Sequence, residues 1–149
     1  MQRAKDVAIF ESKDSQKKWV LRADEVDFDD LSSAVLQRPR LLLREEGKDS
    51  AEVSGARGTF DYTKKLVSIE GNAKVRSFKE NTDLVTERFF YDVDKDRIWS
   101  DTKTIVTRGS AKITARGGIE TDSKLRKIEF KKQRTRLPDN LKELQGAVK

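Results

Sequence analysis

The chain has 149 residues, 35% of them apolar and 39% charged, and its 32 basic and 26 acidic side chains leave a formal net charge of +6. That length suits one domain with a core. A mean hydropathy of -0.78 would suit disorder unless the apolar residues gather on one face of regular elements. Histidine and cysteine are absent, which excludes a disulfide framework, a thiol nucleophile, a histidine-based triad, and zinc held by nitrogen or sulfur.

Taken in order, the elements read as strands. A first strand is expected from about Val7 to Glu11, joined to the next through Lys13 to Lys17. Apolar and polar residues then alternate through Trp19, Leu21 and Ala23, and again through Val67, Ile69, Gly71, Ala73 and Val75. A period of two marks strands with one buried face. Turns are expected at Asp29 to Ser33, Tyr62 to Lys65, Asp92 to Arg97 and Thr121 to Lys124, where Asp and Ser can bond their own backbone. A second set falls near Glu46 to Ser50, Lys79 to Asn81 and Gly109 to Ser110, and a last strand is expected from Arg126 to Arg134, with alternating Lys and Arg around Ile128 and Phe130. Helical periodicity first enters at residue 138, where Pro138 precedes Leu141, Leu144 and Val148, predicting a short helix or a tail over 138–149.

These strands form a repeat. Asp29, Asp61, Asp92 and Asp122 lie 32, 31 and 30 residues apart. Six residues after them come Val35, Val67, Ile98 and Ile128, and just before the first three come Phe28, Phe60 and Tyr91. Leu21, Val53 and Leu84 precede by eight residues, and Leu43, Val75 and Val106 follow by fourteen. The fourth copy is ragged, with Ile113 and Ala115 displaced by one position and Arg136 in place of the last apolar residue. About four antiparallel hairpins with one polar and one apolar face need a second layer, so a sandwich, jelly roll or solenoid-like stack is expected.

Candidate chemistry is sparse. Only carboxylates remain as acid–base groups, and they sit in turns, so no enzymatic activity or cofactor is expected. Asp92, Asp94 and Asp96 open like a calcium loop, but its sixth position is Arg97 and its twelfth Lys103, removing the sharp turn and the bidentate ligand. The basic residues, densest from Lys124 to Arg136, read mainly as a solvated strand face. A nucleic-acid platform would need exposed aromatics among them, whereas Phe28, Phe60 and Tyr91 occupy core phases, so no nucleic-acid partner is expected. Gly55, Gly58, Gly71, Gly109, Gly117 and Gly118 lie within or beside strands, where glycine marks bulges and bends. Ala23, Gly55 and Thr86, each six residues before a repeat Asp, fit a sheet that curls around an interior slot or a packed core.

Several segments together resemble the LptC family: Asp6 to Glu11, Lys17 to Val26, Gly58 to Tyr62, Leu66 to Val75, and Asp83 to Asp92 followed by Ile98, Ser100 and Val106. The similarity runs over about residues 6–137 and extends to the LptA and OstA-like proteins. It implies an all-β fold, a twisted antiparallel β-jelly roll of about four hairpin repeats. It implies a periplasmic transport protein, not an enzyme, that carries lipopolysaccharide acyl chains from an inner-membrane ABC transporter to an LptA-like bridge docked by edge-strand addition. It also implies an N-terminal inner-membrane anchor that these residues do not include. Leu21, Phe28, Val35, Leu43, Val53, Phe60, Val67, Ile69, Val75, Leu84, Tyr91, Ile98, Val106, Ile113 and Ile128 are the expected inward side chains, and all but Val35 and Leu43 are taken as lipid-binding. A structural β-repeat scaffold and an LptA-like soluble bridge are the alternatives.

Overall fold

The structure, a computed structural model, describes residues 2–13, 16–28 and 32–131. Its strands are β1 (Gln2–Lys13), β2 (Gln16–Phe28), β3 (Ser33–Gln37), β4 (Arg40–Glu45), β5 (Lys48–Ser54), β6 (Arg57–Asp61), β7 (Leu66–Ser77), β8 (Thr82–Asp92), β9 (Arg97–Trp99), β10 (Thr104–Arg108), β11 (Ala111–Ala115), β12 (Ile119–Thr121) and β13 (Glu129–Phe130). Every pairing is antiparallel.

The register shows how the layers arise. One edge of β2 holds β4 along Trp19 to Arg22 and β3 along Glu25 to Phe28. Strands β3 and β4 are thus one long strand broken at Arg38 and Pro39, and β5 and β6 are another broken at Gly55 and Ala56. Strand β7 serves both halves, pairing β6 through Leu66 to Glu70 and β5 through Lys74 to Ser77. Next, β8 pairs β9 near one end and β10 near the other. The sheet is therefore a meander of long hairpins folded along one crease. It gives a first wing carrying β3, β6, β9, β12 and β13 and a second carrying β4, β5, β10 and β11, with β2, β7 and β8 crossing between them. This is the jelly roll that the family resemblance implies, one of the three architectures that the hairpin repeat left open.

Local chemistry sets the crease. In β7, Gly71 and Asn72 have positive φ (83° and 49°) and interrupt the register against β8 between Glu70 and Ala73. An extra residue on one strand bends it. The Ala56 amide donates to the carbonyls of both Glu70 (2.9 Å) and Gly71 (3.1 Å), seating the β5–β6 corner in that bend. A Cβ on Gly71 would meet the Ala56 Cβ at 2.7 Å. Ala23, Gly55 and Thr86, the small residues singled out by the repeat, all lie on this crease.

Four expectations are corrected in detail. The first strand runs Gln2–Lys13, longer than Val7 to Glu11, because it pairs along nearly the whole of β2. Val35 is not inward: Ala34 and Leu36 are fully buried and Val35, opposite Asp27, faces outward. The spacing to Asp29 slips by one residue because phase is set by pairing with β2, not by distance from the turn. The turn expected at Thr121 to Lys124 extends to Ile128 before β13 begins. The last strand expected from Arg126 to Arg134 does not begin at Arg126, which lies in that loop; β13 is Glu129–Phe130, and residues 132–134 lie outside the described residues. The helix or tail expected over 138–149, and Asp29 with the start of its turn, also lie outside the described residues.

Candidate functional site

Antiparallel pairing places opposite residues on the same face, so the register strings side chains into rows across the folded sheet. In the first wing one inward row runs Phe28, Ala34, Phe60, Val67, Tyr91, Ile98 and Thr121. A matching row in the second wing runs Leu21, Leu41, Val53, Val75, Leu84, Val106 and Ile113. Eleven of the thirteen lipid-binding candidates are buried in one cluster: Leu21, Val53, Phe60, Val67, Ile69, Val75, Leu84, Tyr91, Ile98, Val106 and Ile128. Phe28 is half-buried and packs against that cluster, and Ile113 is half-buried at the end of its row.

The spacing rule missed Leu36, Leu41, Phe89 and Ile119, all nearly or fully buried. Phe89 was legible by stepping back two residues from Tyr91. Leu125, which is 0% exposed, was not, because it sits in a loop with no alternation.

The centre of the interior is packed. Around Leu41, Val53, Val67, Ile69, Phe89, Tyr91 and Ile98 the facing side chains leave no space for a water-sized sphere. At the open side of the fold, between the wing tips, lies a cleft of about 400 Å³ lined by Trp19, Arg44 and Glu45 from one side and Tyr91, Asp96 and Lys124 from the other. Trp19 meets Phe60 edge to face at 5.7 Å, and its buried Nε1–H has no hydrogen-bond partner among the described residues.

Polar groups are held in local networks. Asp96 accepts from the Tyr91 hydroxyl (3.3 Å), the Ser123 amide (3.2 Å) and the Ser123 hydroxyl (3.0 Å), while Asp92 accepts from the Lys95 amide (3.0 Å). Asp94 lies 3.7 Å from Lys65 Nζ, which also reaches Glu11 at 3.3 Å. These contacts give each of the three carboxylates of the calcium-like run a partner within the protein. Among the described residues no cluster of three or more metal-ligating side chains occurs. Burial, then the neighbouring Asp96 charge, pushes the Tyr91 phenol well above its ordinary range. The Lys65 ammonium is raised by its bond to Glu11 and then by Asp94. Away from the interior, Phe90 and Trp99 stack at 5.2 Å, with the Arg97 guanidinium 4.6 Å from the Trp99 ring centre.

No helix among the described residues is long and apolar enough to cross a membrane.

A folded hairpin meander with a largely apolar inner face and a polar outer face defines an all-β protein of the jelly-roll class. The family model for LptC, lipopolysaccharide-assembly, LptC-related, matches residues 6–137, and the chain belongs to that family. Among solved structures the chain is similar to LptH, the LptA-homologous periplasmic component of the lipopolysaccharide transport device of Pseudomonas aeruginosa. The likeness has a TM-score of 0.60 at 17% identity and covers 80% of this chain and 88% of that one, showing a shared fold. No curated protein sequence matches. Membership assigns the chain a part in lipopolysaccharide assembly and transport.

Proposed function

We propose that this domain carries lipopolysaccharide without chemical change, taking it from an inner-membrane ABC transporter and passing it to an LptA-like periplasmic protein. An N-terminal inner-membrane anchor belongs to the same reading. The observation that carries it is the continuity of the two inward rows, which run from β2 across the fold to β11 and β12 with no charged residue in either row. Acyl chains would lie between the wings, held by non-directional burial at Leu21, Phe28, Val53, Phe60, Val67, Ile69, Val75, Leu84, Tyr91, Ile98, Val106, Ile113 and Ile128. Many similar contacts in a row suit transport, since no single position becomes a trap. Energy for movement would come from ATP hydrolysis in the transporter.

Strand edges supply the docking sites. Among the described residues β1 pairs only β2, β11 only β10 and β13 only β12. Unpaired edges accept a partner strand; the C-terminal edge would receive the LptA-like protein and the N-terminal edge would face the transporter. A structural scaffold is the competing reading, favoured by the packed centre of the interior. Binding of a lipid series that differs only in acyl length separates the two. At roughly 0.8 kcal/mol per buried CH₂, a carrier should gain about fourfold in affinity per added methylene. Length-independent binding, or none, would favour the scaffold.

A further inference from the structure

The interior is shut by a particular piece of chain. The segment 122–128, between β12 and β13, belongs to the first wing, to which Ser123 binds it through Asp96 and Thr121 through the Lys127 carbonyl (2.7 Å). From there it reaches across the open side. Leu125 is 0% exposed and belongs to the core cluster, although its φ of 55° is a backbone conformation that leucine rarely adopts. Its carbonyl accepts from Arg108 at 2.5 Å, and Arg108 extends from β10 in the second wing, on the inward side of the strand and two residues beyond Val106. Arg126 lies 3.6 Å from both Glu45 and Glu80, at the second wing's turns.

We infer that this segment is a strap and that Leu125 is an internal stand-in for an aliphatic chain, filling the position where an acyl chain first enters between the wings. An apolar side chain held in an unfavourable backbone conformation by the Arg108 hydrogen bond and by ion pairs at 3.6 Å through a half-exposed Arg126 is displaceable, because such pairs are individually weak. Release of Arg126 and Arg108 frees the strap to swing back on its first-wing anchors and uncovers the inward rows. The strap stands on geometry alone; the nature of the entering chain rests on the proposed carrier function.

The chain has no cysteine, so a single Val106→Cys reporter can be labelled with a maleimide under native conditions. Arg126→Glu, which sets like charges against Glu45 and Glu80, should raise the labelling rate at least fivefold beyond any change in the global unfolding equilibrium measured in urea. Arg38→Glu, which breaks an ion pair at the crease, should not. In the same proteins, crosslinking of lipid A to a photoreactive residue at position 91 should rise in parallel. Faster labelling with no lipid crosslink in either protein upholds the strap and overturns the carrier reading. Labelling that merely follows global stability, or is unchanged, overturns the strap whether or not lipid crosslinks.

Discussion

At Gly71 the folding of the sheet into two wings depends on one side chain's absence, so Gly71→Ala should be strongly destabilising. Two costs combine. At φ +83° any residue with a Cβ is strained by roughly 1–2 kcal/mol. The new methyl would also lie 2.7 Å from the Ala56 Cβ, and forcing apart a packed corner costs about 1–3 kcal/mol. Together they give about 2–5 kcal/mol, a large share of the 5–15 kcal/mol typical of a domain. Urea denaturation of wild type, Gly71→Ala and the double variant Gly71→Ala/Ala56→Gly measures both parts. The second substitution removes the clash but leaves the backbone strain, so it should return about half of the loss. A single variant within about 0.5 kcal/mol of wild type, or a double variant no better than the single, would refute the account of the crease.

Other outcomes follow from the same geometry. Phe89→Ala removes a ring that is 1% exposed and should cost about 3–5 kcal/mol in urea, with Phe90→Ala on the outer face costing clearly less. Because the Tyr91 phenol titrates higher in the folded protein than in the unfolded chain, its contribution is complete below the ordinary tyrosine range. It declines as pH rises from about 10 toward the folded value. Tyr91→Phe should therefore remove part of the alkaline fall in stability seen by pH-dependent denaturation. Lys65→Met should change stability by less than about 1 kcal/mol, since its pairs with Glu11 and Asp94 are roughly half exposed.

Much of this fold was legible because period-two alternation and the recurring Asp report one physical fact, a hairpin with one dry face. Phe60, Val67, Tyr91 and Ile98 fell into a single row because the hairpins repeat at nearly constant length. Where an irregularity intervenes, counting fails. Val35 was assigned inward from its distance to Asp29, yet pairing with β2 turned Ala34 and Leu36 inward instead. Glycine positions marked the crease at Gly55 and Gly71 correctly, but nothing in the sequence said that breaks in successive strands would align into one fold line. Leu125 stayed invisible because a buried loop residue follows no period, and the groups that hold its segment, Arg108 on Leu125 and Glu45 and Glu80 on Arg126, are distant in sequence.

The most direct test of a lipid path between the wings is site-specific photo-crosslinking to lipopolysaccharide from Phe60 and Tyr91, with the exposed turn residue Lys64 as control. The carrier account expects crosslinks from Phe60 and Tyr91 and none from Lys64. A folded protein that gives none from any of the three positions, or gives them equally from all, would contradict it.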